Sequence, residues 1–152
     1  MQLKRKGVET MEQPKMDWIW HYVSNHRMCE CCGKVEDSFP QYICDAHTHG
    51  MEKYGQLEFQ VVLDYGPEEC GRLLNTMGCR VRDGERFKNG DKVEGLYLDC
   101  DVQLREMKDA HGNRILRLII PDKQNRLPEE SVVPHSYQML TTELLYHGNN
   151  VS

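Results

Sequence analysis

The sequence predicts an α+β domain, a mainly antiparallel sheet with an N-terminal helix and one amphipathic helix packed on it. Three observations carry this. Leu57, Phe59, Val61 and Leu63 alternate with Glu58, Gln60 and Asp64, the period of a half-buried strand. Cys70, Leu73, Leu74 and Met77 recur at i, i+3, i+4 and i+7, the stripe of a helix that buries one face. Two apolar strands flank the turn sequence Asp109-Ala110-His111-Gly112-Asn113 and make a hairpin. Helix, strands, helix and hairpin in that order describe helices set against an antiparallel sheet.

Residues 1–15 are polar, carry Lys4, Arg5 and Lys6, and read as a flexible tail before a single domain over 16–152. Asp17 is a suitable N-cap for a helix whose apolar face would hold Trp18, Ile19, Tyr22, Val23 and His26. A Cys/His-rich front segment follows, over 26–50. Within it, residues 39–44 read as a strand that runs into Asp45-Ala46-His47-Thr48-His49. After the strand at 57–63, Gly66-Pro67-Glu68-Glu69 opens the amphipathic helix. Proline suits a first turn, and acids suit the positive end of the helix dipole. Gly78 is the expected stop. Residues 82–95 carry three glycines and read as loop or short edge strand. Leu96, Leu98, Cys100, Val102 and Leu104 alternate with Tyr97, Asp99, Asp101, Gln103 and Arg105, a long strand with one wet face. Its hairpin partner is the apolar run 115–120; a polar loop over 121–134 and an element of either type over 136–147 close the chain.

Composition narrows the function classes. At 152 residues, 39% hydrophobic and 28% charged, the chain supports an ordinary core without disulfides. The net charge of −5 speaks against a protein that lives by neutralising phosphates, so nucleic acid is not the expected partner. No apolar run nears the roughly 20 residues of a membrane helix, and residues 1–16 have no signal-peptide core, so a cytoplasmic location is expected. In that compartment thiols stay reduced, and seven cysteines cannot all pair. Clustered cysteines therefore read as metal ligands.

Cys29 and Cys32 stand at Cys-x-x-Cys spacing, which lets two thiolates grip one zinc ion from a tight turn. Cys44, His47 and His49 are the candidates for the second pair, with His26 in reserve and Cys31 pointing elsewhere. Such a site would tie the N-terminal element to the first strand. The competing reading is a set of unlinked buried thiols and surface histidines. Cys70, Cys79 and Cys100 fit the core, with Cys70 and Cys79 on different helix faces. Asp45-x-His47-x-His49 is also similar to the opening motif of metal-dependent hydrolases built on barrels, which need about 200 residues or more. Asp99 and Asp101 share a strand face, as paired carboxylates do in acid–base catalysis, but Tyr97, Gln103 and Arg105 make a solvated face the better reading.

The strings His47-Thr48-His49-Gly50-Met51, Glu58-Phe59-Gln60-Val61-Val62-Leu63 and Leu73-Leu74-Asn75 share one wider likeness. It continues through Gly84-Glu85-Arg86-Phe87-Lys88-Asn89-Gly90-Asp91-Lys92-Val93-Glu94-Gly95. Over about residues 42–120 the chain resembles a bacterial family of uncharacterised domains, the domain of unknown function four-two-six-two. The chain departs from that pattern at Glu58-Phe59 and in its cysteine-rich front. The resemblance implies a bacterial cytoplasmic α+β domain and supplies no catalytic residues. The element order is also loosely similar to flavin-binding split barrels, for which Thr48, Gly50, Arg80 and Arg82 would be the phosphate donors. The expectation is thus a zinc-stabilised protein-interaction or regulatory domain without catalysis, with Cys29, Cys32, Cys44, His47 and His49 as its metal residues. A flavin-dependent oxidoreductase domain is the alternative and a small metallohydrolase the third reading. Partner identity and oligomeric state stay open.

Overall fold

The first element after the tail is a strand and not the expected helix. In the computed structural model, which describes residues 16–25, 28–30, 32–34 and 38–147, Ile19–Ser24 form β1. The apolar positions of this stretch satisfy helical spacing, but its β-branched and aromatic residues suit a pleated surface better. Trp18, Trp20 and Tyr22 alternate toward one side, with Ile19, His21 and Val23 toward the other. His26, the reserve ligand, lies outside the described residues.

Five more strands follow: β2 (Ile43–His49), β3 (Glu58–Leu63), β4 (Lys92–Val93), β5 (Val102–Lys108) and β6 (Arg114–Ile119). They form one open sheet in the order β1-β2-β3-β6-β5-β4. Every neighbouring pair is antiparallel except β3 with β6. The hairpin of β5 and β6 turns through Asp109, whose carboxylate accepts from the backbone N–H groups of His111 and Asn113 at 2.8 Å each. The strand expected from Leu96 begins only at Val102. Leu98 is fully exposed, Cys100 is half-buried rather than inward, and Tyr97 donates to Glu69 of the long helix at 2.8 Å. Asp99 and Asp101 are exposed and share no strand face.

The helix α1 (Pro67–Arg82) packs across β1, β2 and β3. Its predicted stripe of Cys70, Leu73, Leu74 and Met77 is fully buried, and each of the larger side chains contributes about 2 kcal/mol. Gly78 does not stop the helix, which runs on one further turn through Val81. It is there for room: a Cβ at Gly78 would lie 2.5 Å from the indole of Trp18, and one at Gly71 would lie 2.6 Å from that of Trp20. The Trp18 indole N–H donates to Asn75 Oδ1 at 3.0 Å, which fixes the ring against the helix. The two tryptophans of β1 are thus seated in two notches on α1. Gly50, at φ +123, has the same duty on the other side of Trp18, where a Cβ would meet the tryptophan Cβ at 2.9 Å.

The opposite face carries a polar row. Register places His21 beside His47, His47 beside Gln60, Gln60 beside Arg117 and Arg117 beside Arg105, across β1, β2, β3, β6 and β5. Gln60 was expected on a wet face, yet it and Arg117 are 0% exposed, because the C-terminal segment lies over them. That segment, ambiguous in sequence, is a 3-10 turn at His135–Met139 followed by the short helix α2 (Thr142–Tyr146), capped by the Thr141 side chain. Arg117 donates to Gln60 Oε1 at 2.8 Å, Thr142 Oγ1 at 3.1 Å and the carbonyls of Gln138 and Leu140 at 2.8 and 2.5 Å. Burial pushes its guanidinium down to about 10, with Asp45 opposing the shift, so it stays a cation at neutral pH. Gln60 spans the gap to that carboxylate, donating to Asp45 Oδ1 at 3.0 Å.

Two outcomes test this packing. Gly78→Ala would gain about 1 kcal/mol from helix propensity alone. Against the Trp18 ring it is expected to lose about 1 kcal/mol net, because overpacking costs about 1–3 kcal/mol, and urea unfolding reads the sign. Arg117→Met leaves Gln60 Oε1 and two carbonyls without the guanidinium that donates to them, takes one of two donors from Thr142 Oγ1, and removes a buried positive charge near Asp45. A loss of about 3–5 kcal/mol in the same experiment is expected.

Candidate metal centre

The open end of the polar row is where histidine and cysteine side chains that could hold a metal ion meet. His21 on β1 and His47 on β2 are directly opposed, and His49 is two residues along β2, opposite Ile19. Strand alternation puts all three on one face. Their ring centroids are 5.4 Å (His21 to His47), 4.8 Å (His21 to His49) and 5.2 Å (His47 to His49) apart.

The cysteine loop folds up against the same end. Its turn closes by backbone hydrogen bonds between Cys29 and Lys34 and between Gly33 and Cys29, at 2.9 and 2.8 Å. Cys29 is buried, and its sulfur accepts the backbone N–H of Tyr22 at 3.4 Å while lying 4.0 Å from His21 Nδ1. Cys32 is exposed. One ligand atom from each of His21, Cys29 and Cys32 lies within 4.8 Å of the other two. Ligands at 2.0–2.3 Å around a tetrahedral zinc sit about 3.3–3.8 Å apart, so the three fit an ion after a closure of about 1 Å. Burial, then the neighbouring His47 and His49, hold His21 below its ordinary pKa and favour the neutral imidazole that a metal needs.

Behind this cluster stands Asp45, 2% exposed. Its carboxylate accepts from His47 Nδ1 at 3.0 Å and Gln60 Nε2 at 3.0 Å on one oxygen, and from Tyr146 Oη at 2.6 Å on the other. Burial alone would raise its pKa. The hydrogen bond and charge of His47, with Tyr146 and Gln60, overcome that and hold it at about 2. Burial in turn disfavours a charged His47, and Asp45 outweighs this to raise it. A buried carboxylate bonded to one ring nitrogen fixes the ring and leaves the other nitrogen to bind.

Of the five residues expected from sequence, Cys29 and Cys32 fall in the cluster with His21, and His47 and His49 stand beside His21 but outside that set of mutually close ligand atoms. Cys44 stands apart: it is on the α1 side of β2, fully buried, beside Cys70 and 3.7 Å from the Val61 carbonyl it donates to. Burial pushes its thiol well up, the opposite of what a thiolate ligand requires. Cys31 lies outside the described residues. A helix over the β1 stretch would not bring His21 to the cluster, which is why spacing does not name it. Read as a strand, its aromatic alternation puts His21 on the polar side.

The residues named for a flavin phosphate are engaged with protein groups. Thr48 Oγ1 and the Gly50 N–H both donate to Glu58, at 2.8 and 3.0 Å. Arg80 binds Glu85 through two nitrogens, at 2.9 and 3.0 Å, and the Glu94 carbonyl at 2.9 Å; Arg82 pairs with Asp83 at 3.1 Å. The sheet that carries Asp45-x-His47-x-His49 is open, not a barrel. A groove of about 770 Å³ runs between β1 and α1 on the other side of the edge, walled by Trp18, Trp20 and Gly71 and reaching Met28, Cys29 and Glu30. No helix among the described residues is long and apolar enough to cross a membrane. Comparison with protein-family models, curated proteins and solved structures yields no match, so the geometry above is what speaks to function.

Proposed function

We propose that the protein is a zinc-binding domain in which the metal fastens the cysteine loop to the edge of the sheet. The observation that carries this is the convergence of His21, Cys29 and Cys32, from a strand and a separate loop, to within 4.8 Å. Thiolate and imidazole donors suit zinc. Two thiolates balance the charge of a divalent ion, which lets Cys29 remain buried. The histidine pair of β2 supplies the fourth donor, so the site is structural rather than one with an exchangeable water.

The role we assign to the domain is recognition of a protein partner, without catalysis. What supports it is the position of the loop: Met28, Cys29 and Glu30 form one end of the apolar groove beside β1, so the metal would hold a wall of that groove in place. Cytoplasmic placement is part of this proposal, since the two thiolates need a reducing compartment.

Elemental analysis of the purified chain is expected to give one zinc per protein. Cys29→Ser and His21→Ala should lose it, while Cys44→Ser should keep it, as the Cys44 sulfur faces α1. At free zinc about 1,000-fold above Kd, occupancy contributes about 4 kcal/mol, so chelation should lower the melting temperature by about 10 °C. A metal-free protein whose melting temperature ignores both zinc and chelator would remove the proposal.

A further inference from the structure

We infer that His47, aimed by Asp45, is the fourth zinc ligand, and that Asp45 and Tyr146 are positioning residues which couple the metal to the C-terminal segment. This rests on the zinc reading above and deepens it.

The two histidines of β2 differ in how they are held. His47 is half-buried, and its Nδ1 is committed to Asp45. Only Nε2 is left to bind, and the ring orientation is already fixed. His49 is exposed and has ring contacts with His21 and His47. Recruiting it would freeze an exposed side chain, whereas His47 has lost that freedom on folding. His47 also faces His21 directly across the strand pair.

Asp45 is gripped in turn from the C-terminus. Tyr146 donates to its second oxygen at 2.6 Å. The Tyr146 ring packs tilted against Phe39 with centroids 4.7 Å apart and lies 4.9 Å from the Lys34 ammonium, and the Tyr146 backbone carbonyl accepts from Ser38. Lys34 belongs to the turn that Cys29 closes. Tyr146 therefore touches the metal centre by two routes, through Asp45 to His47 and through Lys34 to the cysteine loop. A metal that fixes both routes must tighten the docking of α2, docked α2 must tighten the metal by the same factor, and loss of the Tyr146 hydroxyl removes part of that coupling.

The test measures zinc affinity against a competing chelator for the wild-type chain, Asp45→Asn, His47→Ala, His49→Ala and Tyr146→Phe. Cobalt spectra and amide exchange over residues 142–147 accompany it. Asp45→Asn should bind zinc about 10–100-fold more weakly and shift the cobalt d–d bands, which a purely structural role would leave in place. Tyr146→Phe should weaken binding several-fold, His49→Ala should stay within twofold, and zinc should slow exchange in α2. Zinc bound by Asp45→Asn at wild-type affinity, or a larger loss in His49→Ala than in His47→Ala, overturns the inference while the zinc reading stands. If Asp45→Asn does not fold, the two histidine variants decide it. A wild-type chain that binds no zinc overturns both.

Discussion

A guanidinium shut away from water dictates the arrangement of the polar face. Arg117 is 0% exposed in the middle of the sheet, and a buried cation of that size requires acceptors on all sides. Two of them are backbone carbonyls, those of Gln138 and Leu140, and a third is the hydroxyl of Thr142. The C-terminal segment is therefore obliged to cross the sheet where it does. Its cover makes Gln60 a buried amide, and a buried amide must use both ends. Gln60 accepts from the cation and donates to Asp45, so two charges that never touch are joined through one side chain. Asp45, held ionised by these contacts, orients His47. A hydrogen-bonded row runs from Arg117 through Gln60 and Asp45 to His47, buried at its centre, and at its end the His47 ring stands against His21 of the candidate site.

The other face is held by a different kind of fit. Trp18 and Trp20 are large and rigid, and α1 receives them by having no side chains at Gly78 and Gly71. Helix propensity is sacrificed twice for this. The compensation is a strand that would otherwise be a weak sheet edge, anchored to the helix by two indoles and one hydrogen bond to Asn75. The cysteine loop meets β1 at its outer margin through the Tyr22 N–H and Cys29. Displacing β1 would thus disturb the helix packing and the candidate metal centre together.

Local pattern was legible where one period and one environment applied. The stripe of α1, the presence of a strand at β3 and the Asp109 turn follow from the sequence, because each depends on neighbours in sequence. Of the residues that spacing named, Cys29 and Cys32 meet in one cluster with His21, while His47 and His49 stand beside His21 and outside that cluster. The failures share a cause in long-range burial. β1 satisfied the helical and the strand period at once, and only α1, some fifty residues later, decides between them. Gly78 looked like a stop because the tryptophan it accommodates is remote in sequence. Gln60 looked wet because its cover comes from the last element of the chain. Arg117 carries a signal of its own, since a lone charge inside an apolar strand has to find partners elsewhere. Cys44 was grouped with its sequence neighbours, although the pleat sends it to the opposite face from His47.

The notched contact between β1 and α1 has an evolutionary reading. Trp18 with Gly78, and Trp20 with Gly71, are paired volumes, each side chain filling what the other leaves empty. Neither member can change size alone without a gap or a clash. Among chains that share this architecture, a bulkier residue at one notch should travel with a smaller residue on the strand, so the four positions should vary as two linked pairs rather than as four independent sites.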